Sequence, residues 1–214
     1  LVDVDRRTWC IDPEKIEAKI TPNTKAIMAV HMYGHPCDMD KINSIAKRHN
    51  LYVIEDCAEA HGAEVNGVKV GALSDVACFS FYGNKILTTG EGGMCVCKDD
   101  ALASKMRLLC NQGFGEPRFV HQVVGYNYRL TNVQAAIGLA QTEMVEQKVD
   151  KKRWIGQKYN EYLADYPHVS LPVEEPWAKN VYWMYGIVIK PSMGMTKDEV
   201  MAKLKENGVD TRSF

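Results

Sequence analysis

The chain has 214 residues, 46% of them hydrophobic and 25% charged, the balance of a folded soluble globule and not of a disordered chain. With 26 Lys and Arg against 27 Asp and Glu, the formal charge is -1, so no long-range field selects nucleic acid or an anionic membrane as the main partner. The longest apolar run, Val181 to Ile189, is too short to span a bilayer. Leu1 to Cys10 does not read as a secretion leader, and the abrupt opening on Leu1-Val2-Asp3-Val4-Asp5 is what a piece of a longer chain is expected to show.

In chain order, Ala26 to Tyr33 is a short apolar stretch ended by Gly34 and Pro36, which predicts a buried strand. Asp38 caps a helix from Met39 to Asn50, with Ile42, Ile45 and Ala46 at helical spacing. Leu51 to Ile54 is a second strand running into Glu55 and Asp56, Val76 to Phe81 a third and Gly93 to Cys97 a fourth. Asp99 caps a helix through about Leu109. Strand, helix, strand at these lengths means crossovers and a largely parallel sheet, an α/β fold.

From Asn132 one long helical pattern is expected towards Tyr162, with Gly138 and Gly156 tolerated inside it. Pro167 to Pro176 reads as a linker. A strand at Val181 to Ile189 and a helix at Thr196 to Asn207, closed by Gly208, then make a small second unit.

Seven cysteines, an odd number with no Cys-x-x-Cys pair, read as buried reduced thiols of a cytosolic protein. Cys95 and Cys97 share a strand face and could hold a metal. Without a second ligand pair at zinc spacing they read as packing residues, and no metal is expected.

Dinucleotide, P-loop, zincin and nucleophile-elbow motifs do not occur in the sequence. What remains is carboxylate and lysine chemistry at strand ends, where parallel sheets place their ligands. Glu55 and Asp56 close one strand; Lys85 follows another, with Gly83 before it and Gly90, Gly92 and Gly93 after. Burial disfavours an ammonium, and a neutral amine can form a Schiff base with a carbonyl cofactor. Taken alone, a loop lysine is usually solvated surface and a strand-end Asp a turn residue, so spacing by itself leaves both readings open.

The wording of four ordered segments goes further. Val53-Ile-Glu-Asp-Cys-Ala-Glu-Ala-His-Gly-Ala63, Phe79-Ser-Phe-Tyr-Gly-Asn-Lys85, Thr88-Thr-Gly-Glu-Gly-Gly-Met94 and Gly125-Tyr-Asn-Tyr-Arg-Leu-Thr131 closely resemble the pyridoxal-phosphate-dependent sugar aminotransferases of the DegT/DnrJ/EryC1/StrS family. His31-Met-Tyr-Gly-His-Pro36 and Gly208-Val-Asp-Thr-Arg212 extend the likeness over essentially the whole segment. Glu59 and the Gly83-Asn84 pair look most like the branch that aminates GDP-4-keto-6-deoxymannose.

The resemblance implies a fold-type I architecture, with residues 1–150 in the large cofactor domain and 151–214 as a linking helix and part of a small α+β domain. It implies pyridoxal 5'-phosphate as cofactor. Lys85 would anchor it and then move the proton between substrate and cofactor. Asp56 would pair with the pyridine nitrogen, and Ser80 would donate to the phosphate. Glu59 would lie beside the ring oxygen, where two negative groups must share a proton; otherwise it is an ordinary first-turn Glu.

Asn127 would reach the phosphate of a neighbouring subunit, which implies a homodimer with shared sites. Arg129 would take the carboxylate of the amino donor, expected to be glutamate, or bridge the dimer as a helix-end Arg. Tyr82, Asn84 and His31 would line the substrate pocket, with turn formation and core packing the competing reading; Tyr126 and Tyr128 read as interface aromatics. The family's amide-rich phosphate motif and its ring-stacking aromatic lie outside this segment. A dehydratase of the same family would carry His in place of Lys85. A folded fragment without cofactor is the rival outside enzymology. Cytoplasmic location and small-molecule substrates, without nucleic acid or membrane, complete the expectation.

Overall fold

The computed structural model describes residues 1–117 and 119–214. Its centre is a sheet of β1 (Ala26–Val30), β2 (Tyr52–Asp56), β5 (Val76–Ser80) and β6 (Gly93–Cys97), ordered β1-β2-β5-β6. β1, β2 and β5 run parallel, and β6 closes the sheet antiparallel to β5. The α/β assignment holds, with a mostly parallel sheet.

Helix α1 (Met39–His49) crosses from β1 to β2. The Asp38 carboxylate accepts the Lys41 amide at 3.1 Å, satisfying a donor that the first turn leaves over. Lys47, Arg48 and His49 occupy the last turn, and Asn50 ends the helix in the left-handed region at φ 52. Its apolar stripe of Met39, Ile42, Ile45 and Ala46 packs on Ile27, Ala29 and Val53.

β1 stops at Val30, short of the expected Tyr33, because the following residues turn inward. His31 is fully buried and Tyr33 takes a left-handed conformation at φ 54, followed by Gly34 at φ 101. A Cβ at position 34 would lie 2.8 Å from the Val181 side chain, so glycine is required there on both counts.

After α2 (Asp100–Cys110), the expected single helix is two: α3 (Asn132–Thr142) and α4 (Val145–Leu163). The Thr142 hydroxyl donates to the Gly138 carbonyl at 2.8 Å, a back-bond that competes with the helical ladder and bends it. α4 runs unbroken through residue 150. Gly156 is buried within it because the Tyr182 ring lies where a Cβ would stand, at 2.8 Å.

The expected strand over 181–189 survives only as β9 (Val188–Ile189), paired with β7 (Val169–Ser170) inside the presumed linker. Residues 181–185 are engaged elsewhere: the Val181 amide donates to the Gly34 carbonyl, the Tyr182 amide to the Asn180 side chain, and Lys152 to the Trp183 carbonyl. A small antiparallel sheet of β3 (Glu64–Val65), β4 (Val68–Lys69) and β8 (Ala178–Lys179) ties this region to the turn after β2. α5 (Lys197–Glu206) starts with a capping box between Thr196 and Glu199 and is followed by Gly208 at φ 78.

All seven cysteines are free, but only Cys10, Cys37 and Cys57 are buried. Cys95 is exposed on β6 and sits across from Cys78, with sulfurs 3.6 Å apart. The expectation of uniformly buried thiols fails there because β6 presents Gly93 to Cys95 to solvent.

Gly156→Val forces the α4 backbone away from Tyr182. The expected cost is about 1–3 kcal/mol, read as a lower urea midpoint and a fall in Tm of several degrees.

Candidate functional site

Side chains alternate across a strand, so Glu55 and Asp56 point to opposite faces. Glu55 points into the core and is 0% exposed. Its carboxylate accepts from Gly71 N at 2.8 Å, Leu73 N at 3.1 Å, Ser74 Oγ at 2.7 Å and His31 Nε2 at 3.1 Å. The Cys37 amide donates to His31 Nδ1 at 3.0 Å, so that nitrogen accepts and Nε2 carries the proton. Burial alone would raise the Glu55 carboxyl, but His31, the Gly71 amide and Ser74 pull it below its ordinary value of 4.5. His31, Glu55 and Cys57 bring ligand atoms within 4.8 Å of one another. The His31 and Glu55 atoms are already committed to these bonds, so the cluster is a hydrogen-bond hub.

Asp56 faces the other way, at the carboxyl end of β2. Its Oδ1 accepts the Ala58 amide at 3.0 Å, which holds the carboxylate while leaving the second oxygen to a donor. Asp56 pairs in register with Cys78, so Ser80, two residues on, lies on the same sheet face. Directly across from Ser80 stands Gly93, where a Cβ would lie 2.8 Å from the Phe79 carbonyl oxygen.

Beyond β5 the chain turns through Tyr82, Gly83 and Asn84, all exposed, and brings Lys85 back inward. The Lys85 amide donates to the Tyr82 carbonyl at 3.0 Å and the Thr89 amide to the Phe81 carbonyl at 2.9 Å, closing the loop. The Lys85 side chain is 12% exposed, with its Nζ 3.6 Å from Glu59 Oε1. The other Glu59 oxygen accepts the Tyr33 amide at 2.9 Å. On the remaining side Lys85 Nζ lies 3.9 Å from the centre of the Trp183 ring.

The structure therefore brings Lys85 and Glu59 together at the strand ends, with Asp56 and Ser80 on one face of the sheet. Tyr82 and Asn84 form the exposed turn before Lys85. Asn127 and Arg129 are exposed on a separate arm, where Asn127 bridges to Asn111 and Tyr126 stacks on Tyr128 at 5.1 Å.

Sequence reasoning missed Trp183, which only a long chain closure could bring here, and the role of His61. The His61 ring is 3% exposed between Phe79 and Phe81, at centroid distances of 5.6 and 5.9 Å. Neither ring nitrogen has a partner at full hydrogen-bonding geometry. Burial and then the Lys85 charge push its pKa from 6.5 down to about 4, against a weak opposing contact with the Ser80 backbone.

The model of the DegT/DnrJ/EryC1/StrS aminotransferase family matches residues 1–214. The chain belongs to that family. It is 49% identical over 219 residues to a GDP-perosamine synthase of Caulobacter vibrioides, covering 99% of this chain and 58% of that protein. To a GDP-perosamine synthase of Escherichia coli O157:H7 it is 43% identical, over 99% of this chain and 57% of the other. The crystal structure of Streptomyces venezuelae DesV in complex with a ketimine intermediate superposes at a TM-score of 0.92 with 35% identity, over 98% of this chain and 55% of that one. The chain thus spans somewhat over half the length of these relatives.

A histidine kept neutral in the fold but protonated when unfolded makes stability rise with pH between the two pKa values. From pH 7 to pH 5 the unfolded state takes up the His61 proton and the native state does not. The expected loss is about 2 kcal/mol, measured by urea unfolding at both pH values. His61→Phe should remove most of that slope. The Glu55 contribution has the depressed-carboxylate sign and is lost only as pH falls below about 4.5.

Proposed function

We propose that the protein is a pyridoxal-phosphate-dependent aminotransferase that moves an amino group from glutamate to the keto carbon of a nucleotide-linked deoxysugar. The carrying observation is the Lys85 amine, drawn out of solvent at the strand ends and set 3.6 Å from the Glu59 carboxylate. The donor set suits the cofactor: an amine for its aldehyde, a carboxylate oxygen at Asp56 for its ring nitrogen, and the Ser80 hydroxyl beside Gly93 for its phosphate. Bound there, pyridoxal phosphate supplies a ring that accepts the electron pair left when a substrate C–H loses its proton.

This chain's own groups do the rest. Lys85, with its amine free, would be the base that carries the proton between the substrate carbon and the cofactor's aldehyde carbon. Asp56, fixed by the Ala58 amide, keeps a proton on the ring nitrogen. Glu59, tethered by the Tyr33 amide, shares a proton with the ring oxygen and holds the Lys85 amine close. Over a full cycle glutamate leaves as 2-oxoglutarate, and the sugar's keto oxygen is replaced by the amine.

The identity to two GDP-perosamine synthases and the Glu at position 59 support GDP-4-keto-6-deoxymannose as the sugar and GDP-perosamine, a surface-polysaccharide (O-antigen) precursor, as the product. Asn127 and Arg129, on their exposed arm, are read as groups offered to the site of a second copy in a homodimer. The exposed aromatics beside them suit that interface. Among the described residues no helix is long and apolar enough to cross a membrane, and a cytoplasmic enzyme is the reading adopted.

In the full-length polypeptide, pyridoxal phosphate followed by borohydride should leave an adduct on the Lys85 peptide, and Lys85→Ala should abolish it. Asp56→Ala should lower kcat by about a hundredfold or more while still retaining cofactor. An adduct mapping elsewhere overturns the assignment. A panel of nucleotide ketosugars, in which only non-GDP substrates turn over, would reject the perosamine branch alone.

A further inference from the structure

We infer that Trp183 is the positioning residue of the Lys85 amine, gripping it at two points. The inference rests on the reading of Lys85 as the anchoring amine. The indole N–H donates to the Asn84 carbonyl at 2.8 Å, and so fixes the peptide that enters Lys85. The face of the same ring lies 3.9 Å from Lys85 Nζ. One rigid side chain therefore sets both the backbone origin of the lysine and the position of its far end. Four rotatable bonds between those ends would otherwise let the ammonium swing into solvent.

The ring is itself held. Trp183 is 3% exposed, packed with Ile86 and Val181. Its carbonyl accepts Lys152 Nζ from α4 at 3.0 Å, and the Val181 amide is bonded to the Gly34 carbonyl. The segment carrying the indole is thus pinned to α4 on one side and to the turn after β1 on the other. Glu59 attracts the amine without fixing its direction, since a carboxylate pulls from any approach. The indole face accepts a cation only from above the ring, and the electrostatic attraction persists for any cationic nitrogen held there. Tyr33 lies against the same indole at a centroid distance of 6.0 Å, and its amide holds Glu59. The two groups flanking the amine are therefore registered to each other.

The test uses the full-length protein, with the time course of borohydride capture of pyridoxal phosphate on the Lys85 peptide quantified by mass spectrometry. Trp183→Leu, lacking both grips, should slow capture about tenfold or more. Trp183→Phe keeps bulk and a weaker face but has no N–H, and should slow capture roughly threefold to fivefold. In both variants kcat should fall in parallel with capture, while KM for the ketosugar stays within about twofold of wild type. A general packing defect would not produce that split.

Capture by folded Trp183→Leu at the wild-type rate overturns the inference. If that variant does not fold by circular dichroism, Trp183→Phe decides, and a wild-type rate there overturns it equally. Wild-type protein that forms no adduct at Lys85 rejects the proposed function instead, so the two failures are distinct.

Discussion

A carboxylate with no access to water has to be given donors or it will not stay in the fold, and Glu55 recruits four of them from two separate segments. Removing a partner from such a buried charge costs about 3–5 kcal/mol, a large share of a typical domain's net stability. The arrangement fixes where β1 must end, because His31 has to turn inward to reach the carboxylate. It fixes the turn at 71–74, whose amides point at the same oxygens. It also decides what Asp56 can do: the strand's pleat sends it to the opposite face, which it shares with Ser80.

The same turn carries the electrostatics of the site. Two residues past His31, the Tyr33 amide tethers Glu59, and Glu59 faces Lys85. Glu59 supplies a formal charge beside the amine, and the indole a face that accepts a cation from above the ring. Glu59 draws the amine in, and the role inferred for Trp183 is to set where it points. His61 lies beneath as a neutral ring; a charge there would be repelled by the lysine and stranded among phenylalanines.

Much of this architecture was legible in the sequence. β1, β2 and β5 stand out as short apolar runs bounded by turn residues, although Met28 on β1 and Tyr52 on β2 stay exposed. α1, α2 and α5 announce themselves through Asp38, Asp99 and Thr196, residues whose side chains cap an open helix end. The motifs that resemble the family contain Lys85, Asp56, Glu59 and Ser80, the residues on which the proposed site rests. Two-residue strands such as β3, β4 and β8 carry no period to detect. The break before α4 falls at Met144, at φ -107 and ψ 11, with no Gly or Pro there to mark it. Val181 to Tyr185 reads as a strand because its composition is apolar and aromatic, yet its backbone is claimed by Gly34, by Lys152 of α4 and by the neighbouring Asn180 side chain. Adjacent acidic letters at 55 and 56 look alike in one dimension; only the pleat separates a structural carboxylate from a chemical one.

The hydrogen bond from Trp183 to the Asn84 carbonyl joins residues 99 apart in the chain, and distant pairings of this kind form late. On the ribosome, the sheet with its strand-end carboxylates can assemble while the indole is still inside the exit tunnel. Until that segment emerges and threads between α4 and the turn after β1, the amine at position 85 has no fixed bearing. The order of synthesis thus delivers the indole to the Lys85 loop only after every strand of the central sheet has been made.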